Sequence, residues 1–221
     1  MLETLIHEAT EPAIGSVIWL HGLAASGNDF APIAPHMQLP DVRFIFPHAP
    51  VRPVTINGGW EDRAWYDITT LNDSPHRETV AHIEESAVLI EALIQREIDS
   101  GIPAQNIALL GFSQGAAMAL HVGHRFSHTL LGVVVMSGYL LCPERFALEC
   151  ASANVDTPFR FFHGIRDLVV REDKGYAAYE ACRAIHHNTL WRDYPVGHEV
   201  CLEELREIRA WLFDCFTKRR D

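Results

Sequence analysis

The stretch Ala108-Leu109-Leu110-Gly111-Phe112-Ser113-Gln114-Gly115-Ala116-Ala117-Met118-Ala119-Leu120 decides the fold. A short apolar run leads into Gly111-x-Ser113-x-Gly115, and small residues with helical character follow. Strand, sharp turn and helix in that order form a nucleophile elbow. Ser113 stands at its tip, held out by a strained backbone. A Cβ at either glycine would crowd the strand against the helix. The helix behind Ser113 directs unpaired N–H groups at any negative charge that forms there.

Outward from the elbow, strand-like and helix-like segments alternate, which predicts an α/β fold: a mostly parallel central sheet with helices on both faces. Strands are expected over residues 2–7 at an edge, 16–21, 42–46, 108–111, 130–136, 158–163 and 188–194. Helices are expected over 29–37, broken by Pro32 and Pro35, over 77–100, after the elbow, over 143–150, 172–186 and 200–216. Residues 47–70 read as one long irregular loop rich in proline and carrying Trp60, Trp65 and Tyr66; a loop of that length has a function. No repeat or interdomain linker is visible, so residues 1–221 are expected to form one domain.

Bulk composition narrows the classes. Of 221 residues, 48 % are hydrophobic and 21 % charged, and the formal net charge is −11. That balance excludes the basic face a nucleic-acid binder needs, and it opposes docking on an anionic membrane. The basic tail Lys218-Arg219-Arg220 reads as a charge cluster at a helix C-terminus. No signal peptide or membrane-spanning run is visible. Cys142, Cys150, Cys182, Cys201 and Cys215 lack C-x-x-C spacing and read as reduced, mostly buried thiols of a cytoplasmic protein.

A serine hydroxyl needs an imidazole to take its proton and a carboxylate to fix that imidazole. In a sheet entered through such an elbow, the chain order is serine, acid, histidine. Asp167 follows the strand at 158–163, and His198 follows the last strand. Both lie at carboxyl ends, where the crevice of an open parallel sheet forms. Asp156, His186 and His187 precede their strands, Asp173 belongs to a helix first turn, and Asp193 lies within a strand. Ser113, Asp167 and His198 are therefore the expected triad. The oxyanion donors are the backbone N–H groups of Gln114 and of Leu23 in the Gly22–Gly27 loop. Trp60, Trp65 and Val170 are candidates for the wall of an acyl site, with Tyr66 beside them. His21 and His163 read as loop-orienting hydrogen bonders. His121, His124 and His128, at helical spacing, read as packing or solvated groups, and no metal is expected.

These motifs, with His21-Gly22-Leu23-x-Ala25-x-Gly27-x-Asp29-Phe30, residues 46–59, Arg63-Ala64-Trp65-Tyr66-Asp67, His163-Gly164-x-x-Asp167 and Gly197-His198, resemble the phospholipase/carboxylesterase family, which includes the acyl-protein thioesterases. The block Thr55-Ile56-Asn57-Gly58-Gly59 resembles its bacterial carboxylesterase branch. The resemblance implies an α/β-hydrolase fold without a large cap domain. It further implies hydrolysis of carboxylic esters, of thioesters or of lysophospholipids, without a cofactor. The family's triad falls on Ser113, Asp167 and His198, its oxyanion donors fall on Leu23 and Gln114, and its members often pair, so a homodimer is expected by resemblance. The sequence departs from the pattern at Asp62, where a methionine is frequent, and at Arg171, where a proline is usual. An Asp62 facing the acyl groove would disfavour long chains. The competing class, a non-catalytic sensor of a small acyl ligand, requires a broken triad, and none of the three positions is broken.

Overall fold

The computed structural model describes residues 2–70 and 77–219. Nine strands and seven α-helices are found among them: β1 Thr4–His7, β2 Gly15–Leu20, α1 Gly27–Phe30, α2 Ala34–Met37, β3 Val42–Pro47, β4 Val51–Val54, β5 Trp60–Arg63, α3 Val80–Asp99, β6 Ile107–Phe112, α4 Gln114–Arg125, β7 Gly132–Met136, α5 Pro143–Phe146, β8 Phe159–Gly164, α6 Glu172–Arg183, β9 Thr189–Tyr194 and α7 Leu202–Thr217. Seven strands make one sheet in the order β1-β3-β2-β6-β7-β8-β9. All pairings are parallel except that of β1, which runs antiparallel along β3. No large cap is inserted among the described residues.

The near-continuous apolar strands are buried on both faces, and their side chains alternate between two cores. Ile18, Leu20, Leu109, Val133, Val135 and Phe161 point to the side covered by α3, α4 and α6. Val17, Trp19, Leu110, Val134, Met136 and Phe162 point to the side covered by α1, α2 and α7. Leu110 and Leu109 thus belong to different cores although adjacent in the chain. The strand feeding the elbow is gripped from above and below.

Four expectations need correction. The segment 47–70 is not one irregular loop: β4 and β5 pair as an antiparallel hairpin with Pro53 opposite Glu61. Its strands are four residues each and carry a proline and four charged residues, so neither length nor periodicity marked them. The helix expected from residue 77 begins at Val80, since Glu78 instead bridges to Ile68. The helix expected over 143–150 is a single turn. Arg220 of the basic tail lies outside the described residues. All five cysteines are free, but only Cys182 is buried; the other four are partly exposed.

Candidate active site

The elbow is built as its glycines require. Ser113 has φ +54° and ψ −120°, a strained conformation for a residue with a side chain. A Cβ on Gly111 would lie 2.2 Å from the Gly115 carbonyl oxygen, and one on Gly115 would lie 2.5 Å from the carbonyl oxygens of Leu20 and His21. Both glycines let α4 start directly against β2 and β6. The Ser113 N–H donates to the Met136 carbonyl at 2.9 Å, fixing the turn to the neighbouring strand.

The structure brings the three predicted side chains together. His198 Nε2 lies 2.8 Å from Ser113 Oγ, and His198 Nδ1 lies 2.6 Å from Asp167 Oδ2. The other Asp167 oxygen accepts the N–H groups of Val169 and Val170, each at 2.9 Å. A carboxylate accepts only, so Nδ1 of His198 carries the proton and Nε2 is left to accept from the serine hydroxyl. Burial pushes the Asp167 carboxyl up. The hydrogen bond and charge of His198, with the two backbone N–H groups, outweigh that and hold it below the usual carboxylate range. The His198 ring rests on Phe112, with centroids 4.8 Å apart.

Two buried histidines brace this arrangement. His163 donates from Nε2 to the Val170 carbonyl at 2.8 Å, clamping the turn that presents Asp167. His21 accepts the Ala49 N–H at Nε2 and donates from Nδ1 to the Gly22 carbonyl, at 2.9 and 2.7 Å. Burial pushes His21 down to about 4, so it stays neutral and keeps this tautomer. The loop holding Leu23 is pinned on both sides, by His21 and by the Ala24 N–H to the Arg63 carbonyl. A Cβ on Gly22 would sit 3.3 Å from the Ser113 Cβ, which measures how closely this backbone passes the serine. The Gln114 N–H, first in α4, has no acceptor one turn earlier in its own helix.

One contact was not foreseen. The Gln114 side chain accepts the Trp65 N–H at 2.7 Å and donates to the Tyr66 carbonyl at 2.8 Å. It ties the elbow to the segment after β5. The partners lie 49 and 48 residues away, and no local spacing announces them.

The candidate wall residues separate. Trp65 is fully buried and donates its indole N–H to the His21 carbonyl at 2.8 Å, a packing position beneath the loop. Tyr66 is also fully buried, with its hydroxyl 2.6 Å from that of Tyr139. Val170 is buried in the Asp167 turn. Trp60 on β5 is 79 % exposed, and Leu168 and Val169 beside Asp167 are 92 % and 72 % exposed. Asp62 is half-buried, opposite Arg52 in the hairpin, and accepts the Arg63 N–H at 2.8 Å. Arg171 is exposed ahead of α6 and pairs with Asp173. The three histidines considered for a metal do not share a helix face: α4 ends at Arg125, and His128 lies beyond it, exposed, against Ser127.

Among the described residues, no helix is long and apolar enough to cross a membrane. The family model described as Phospholipase/Carboxylesterase matches residues 2–215. Acyl-protein thioesterase 1 of Neurospora crassa is 37 % identical over 217 residues, covering 93 % of this chain and 89 % of that protein. Acyl-protein thioesterase 1 homolog 1 of Dictyostelium discoideum is 37 % identical over 209 residues, covering 92 % and 88 %. The crystal structure of Zea mays acyl-protein thioesterase 2 superimposes with a TM-score of 0.84 at 27 % identity, covering 97 % of this chain and 99 % of that one. These relatives are eukaryotic, and they give no support to the bacterial branch suggested by residues 55–59. The chain belongs to the phospholipase/carboxylesterase family and has its α/β-hydrolase fold.

Proposed function

We propose that the protein is a serine hydrolase of carboxylic esters and thioesters with short to medium acyl chains, working through Ser113, His198 and Asp167. The observation that carries this is the continuous relay from Ser113 Oγ through His198 to Asp167, at 2.8 and 2.6 Å, on a serine held at positive φ. His198 Nε2 takes the Ser113 proton as Oγ bonds to the acyl carbon. The oxyanion is received by the N–H groups of Leu23 and Gln114, each worth about 10²–10³ in rate at such sites. Asp167 stabilises the imidazolium. His198 then returns the proton to the leaving oxygen or sulfur, the bond to it breaks, and the acyl group stays on Ser113. Water gives a proton to His198 as it attacks the acyl-enzyme, and the acid departs as Oγ is reprotonated.

The exposed apolar side chains Trp60, Leu168 and Val169 supply surface for the acyl chain; Leu168 and Val169 flank Asp167 in sequence. A thiol leaves with less protonation than an alcohol, because its ordinary pKa of about 8.5 is far lower. The same machinery therefore suits thioesters, and the acyl-protein thioesterases among its relatives favour thioesters of acylated proteins as the physiological class.

Replacement of Ser113 by alanine tests the proposal. The Ser113→Ala chain should fold with unchanged melting behaviour and lose about 10⁶ in kcat on p-nitrophenyl esters. A fluorophosphonate should label the parent chain and not the variant. Turnover surviving near the parental rate would refute it.

A further inference from the structure

At the other end of α4 from Ser113, two histidines meet in a way that neutral rings alone do not satisfy. His124 Nε2 lies 2.5 Å from the Phe146 carbonyl oxygen, and His186 Nδ1 lies 2.8 Å from the Asn154 carbonyl oxygen. A carbonyl only accepts, so both of those nitrogens carry the hydrogen. The remaining nitrogens, His124 Nδ1 and His186 Nε2, are then bare acceptors, and they face each other at 2.8 Å. Two lone pairs at that distance require something positive between them. The Cys150 sulfur joins the pair: all three atoms lie within 4.8 Å of one another. Both rings are buried and Cys150 is partly so.

We propose that His124 Nδ1, His186 Nε2 and Cys150 Sγ form a zinc-binding site that ties the end of α4 to the segments following α5 and α6. Two imidazoles and a thiolate are ligands that zinc accepts. The second nitrogen of each ring donates to a backbone carbonyl, the arrangement that fixes tautomer and orientation in metal-bound histidines. Tetrahedral binding with bonds of about 2.1 Å places two ligand nitrogens roughly 3.4 Å apart. The rings would therefore part by about half an ångström while Cys150 moves inward. The competing occupant is a single shared proton. It would leave a buried positive charge, and among the described residues no carboxylate hydrogen-bonds to either ring. Glu149, the neighbouring acid, is held by Arg125 and Arg145. Zinc instead brings Cys150 into play as its own counter-charge, releasing the thiol proton to solvent. A water molecule would complete the four-coordinate shell.

The site stands about 16 Å from Ser113, given the rise of a helix the length of α4. Its effect is on stability and not on the acyl chemistry. The test uses the full chain, untagged and stripped with chelator, titrated with Co²⁺ and separately with Zn²⁺. One Co²⁺ per chain should bind, with the visible bands of a tetrahedral ion and a thiolate-to-cobalt charge-transfer band, and Zn²⁺ should bleach both. Saturating Zn²⁺ should raise Tm by about 5 °C. Cys150→Ser changes one partly exposed atom; it should lose the charge-transfer band and most of the Tm shift while keeping its fold and its esterase rate. Cys201→Ser should retain both signals. An absent charge-transfer band in the parent chain, or one undiminished in Cys150→Ser, would overturn the site and assign the ring pair to a shared proton.

Discussion

At the residue scale, the chemistry turns on which proton sits where. Asp167 accepts from His198 with one oxygen and from Val169 and Val170 with the other. In Asp167→Asn the side-chain carbonyl can still accept the two backbone N–H groups. The amide would then point an N–H at His198 Nδ1 and drive its proton to Nε2, where it cannot accept from Ser113. This variant should fold normally and lose on the order of 10⁴ in kcat, as steady-state kinetics beside a thermal melt would show. A loss of less than tenfold would mean that the carboxylate does not set the tautomer. That Ser113, Asp167 and His198 come together was legible in the sequence, because chain order and strand ends restrict the choice. The Gln114 side chain and the His124–His186 pair were not, because their partners lie 48 or more residues away and nothing local marks them.

At the scale of elements, α4 fits closely against β2. The space that Gly115 leaves is filled by the carbonyls of Leu20 and His21, which are backbone and cannot rotate aside. Gly115→Ala should push α4 away from β2 and spread the Leu23 and Gln114 N–H groups. Overpacking of this kind costs about 1–3 kcal/mol. Chemical denaturation should show that loss, and kcat should fall further than KM rises. Unchanged stability would show that the helix can shift freely. The elements surrounding this contact were readable because β2, β6 and β7 are continuous apolar runs, buried on both faces. The β4–β5 hairpin was not: Pro53 within it, a buried Arg52 and the charged Glu61-Asp62-Arg63 opposite hide a partly buried two-stranded ribbon that no apolar alternation betrays.

At the scale of the whole molecule, burial of ionisable groups sets the response to pH. Burial pushes His21 and His121 down to about 4 and about 3, so the unfolded chain takes protons that the folded chain refuses as pH falls below 6.5. Each ring therefore removes stability on acidification, by about 2 kcal/mol near pH 5. Glu204, buried in the first turn of α7, is pushed up to about 8 by burial. The folded chain keeps its proton while the unfolded carboxyl, at 4.5, has lost it, so this group removes stability as pH rises from 4.5 to about 8. The two effects oppose each other in the parent chain. Glu204→Gln leaves the histidines alone: the variant should gain about 4 kcal/mol over the parent near pH 8, gain little near pH 5, and lose stability more steeply on acidification. Urea unfolding across that range reads this directly, and a gain equal at both ends would contradict it.

On the proposed route the acyl group passes through a covalent bond to one oxygen atom. Acid quenching of the chain within its first turnovers of a p-nitrophenyl ester, followed by intact-mass and peptide analysis, tests it most directly. One added acyl group per chain is expected, located on Ser113 and absent from Ser113→Ala. Turnover with an acyl group on a different residue, or with none at any stage, would contradict it.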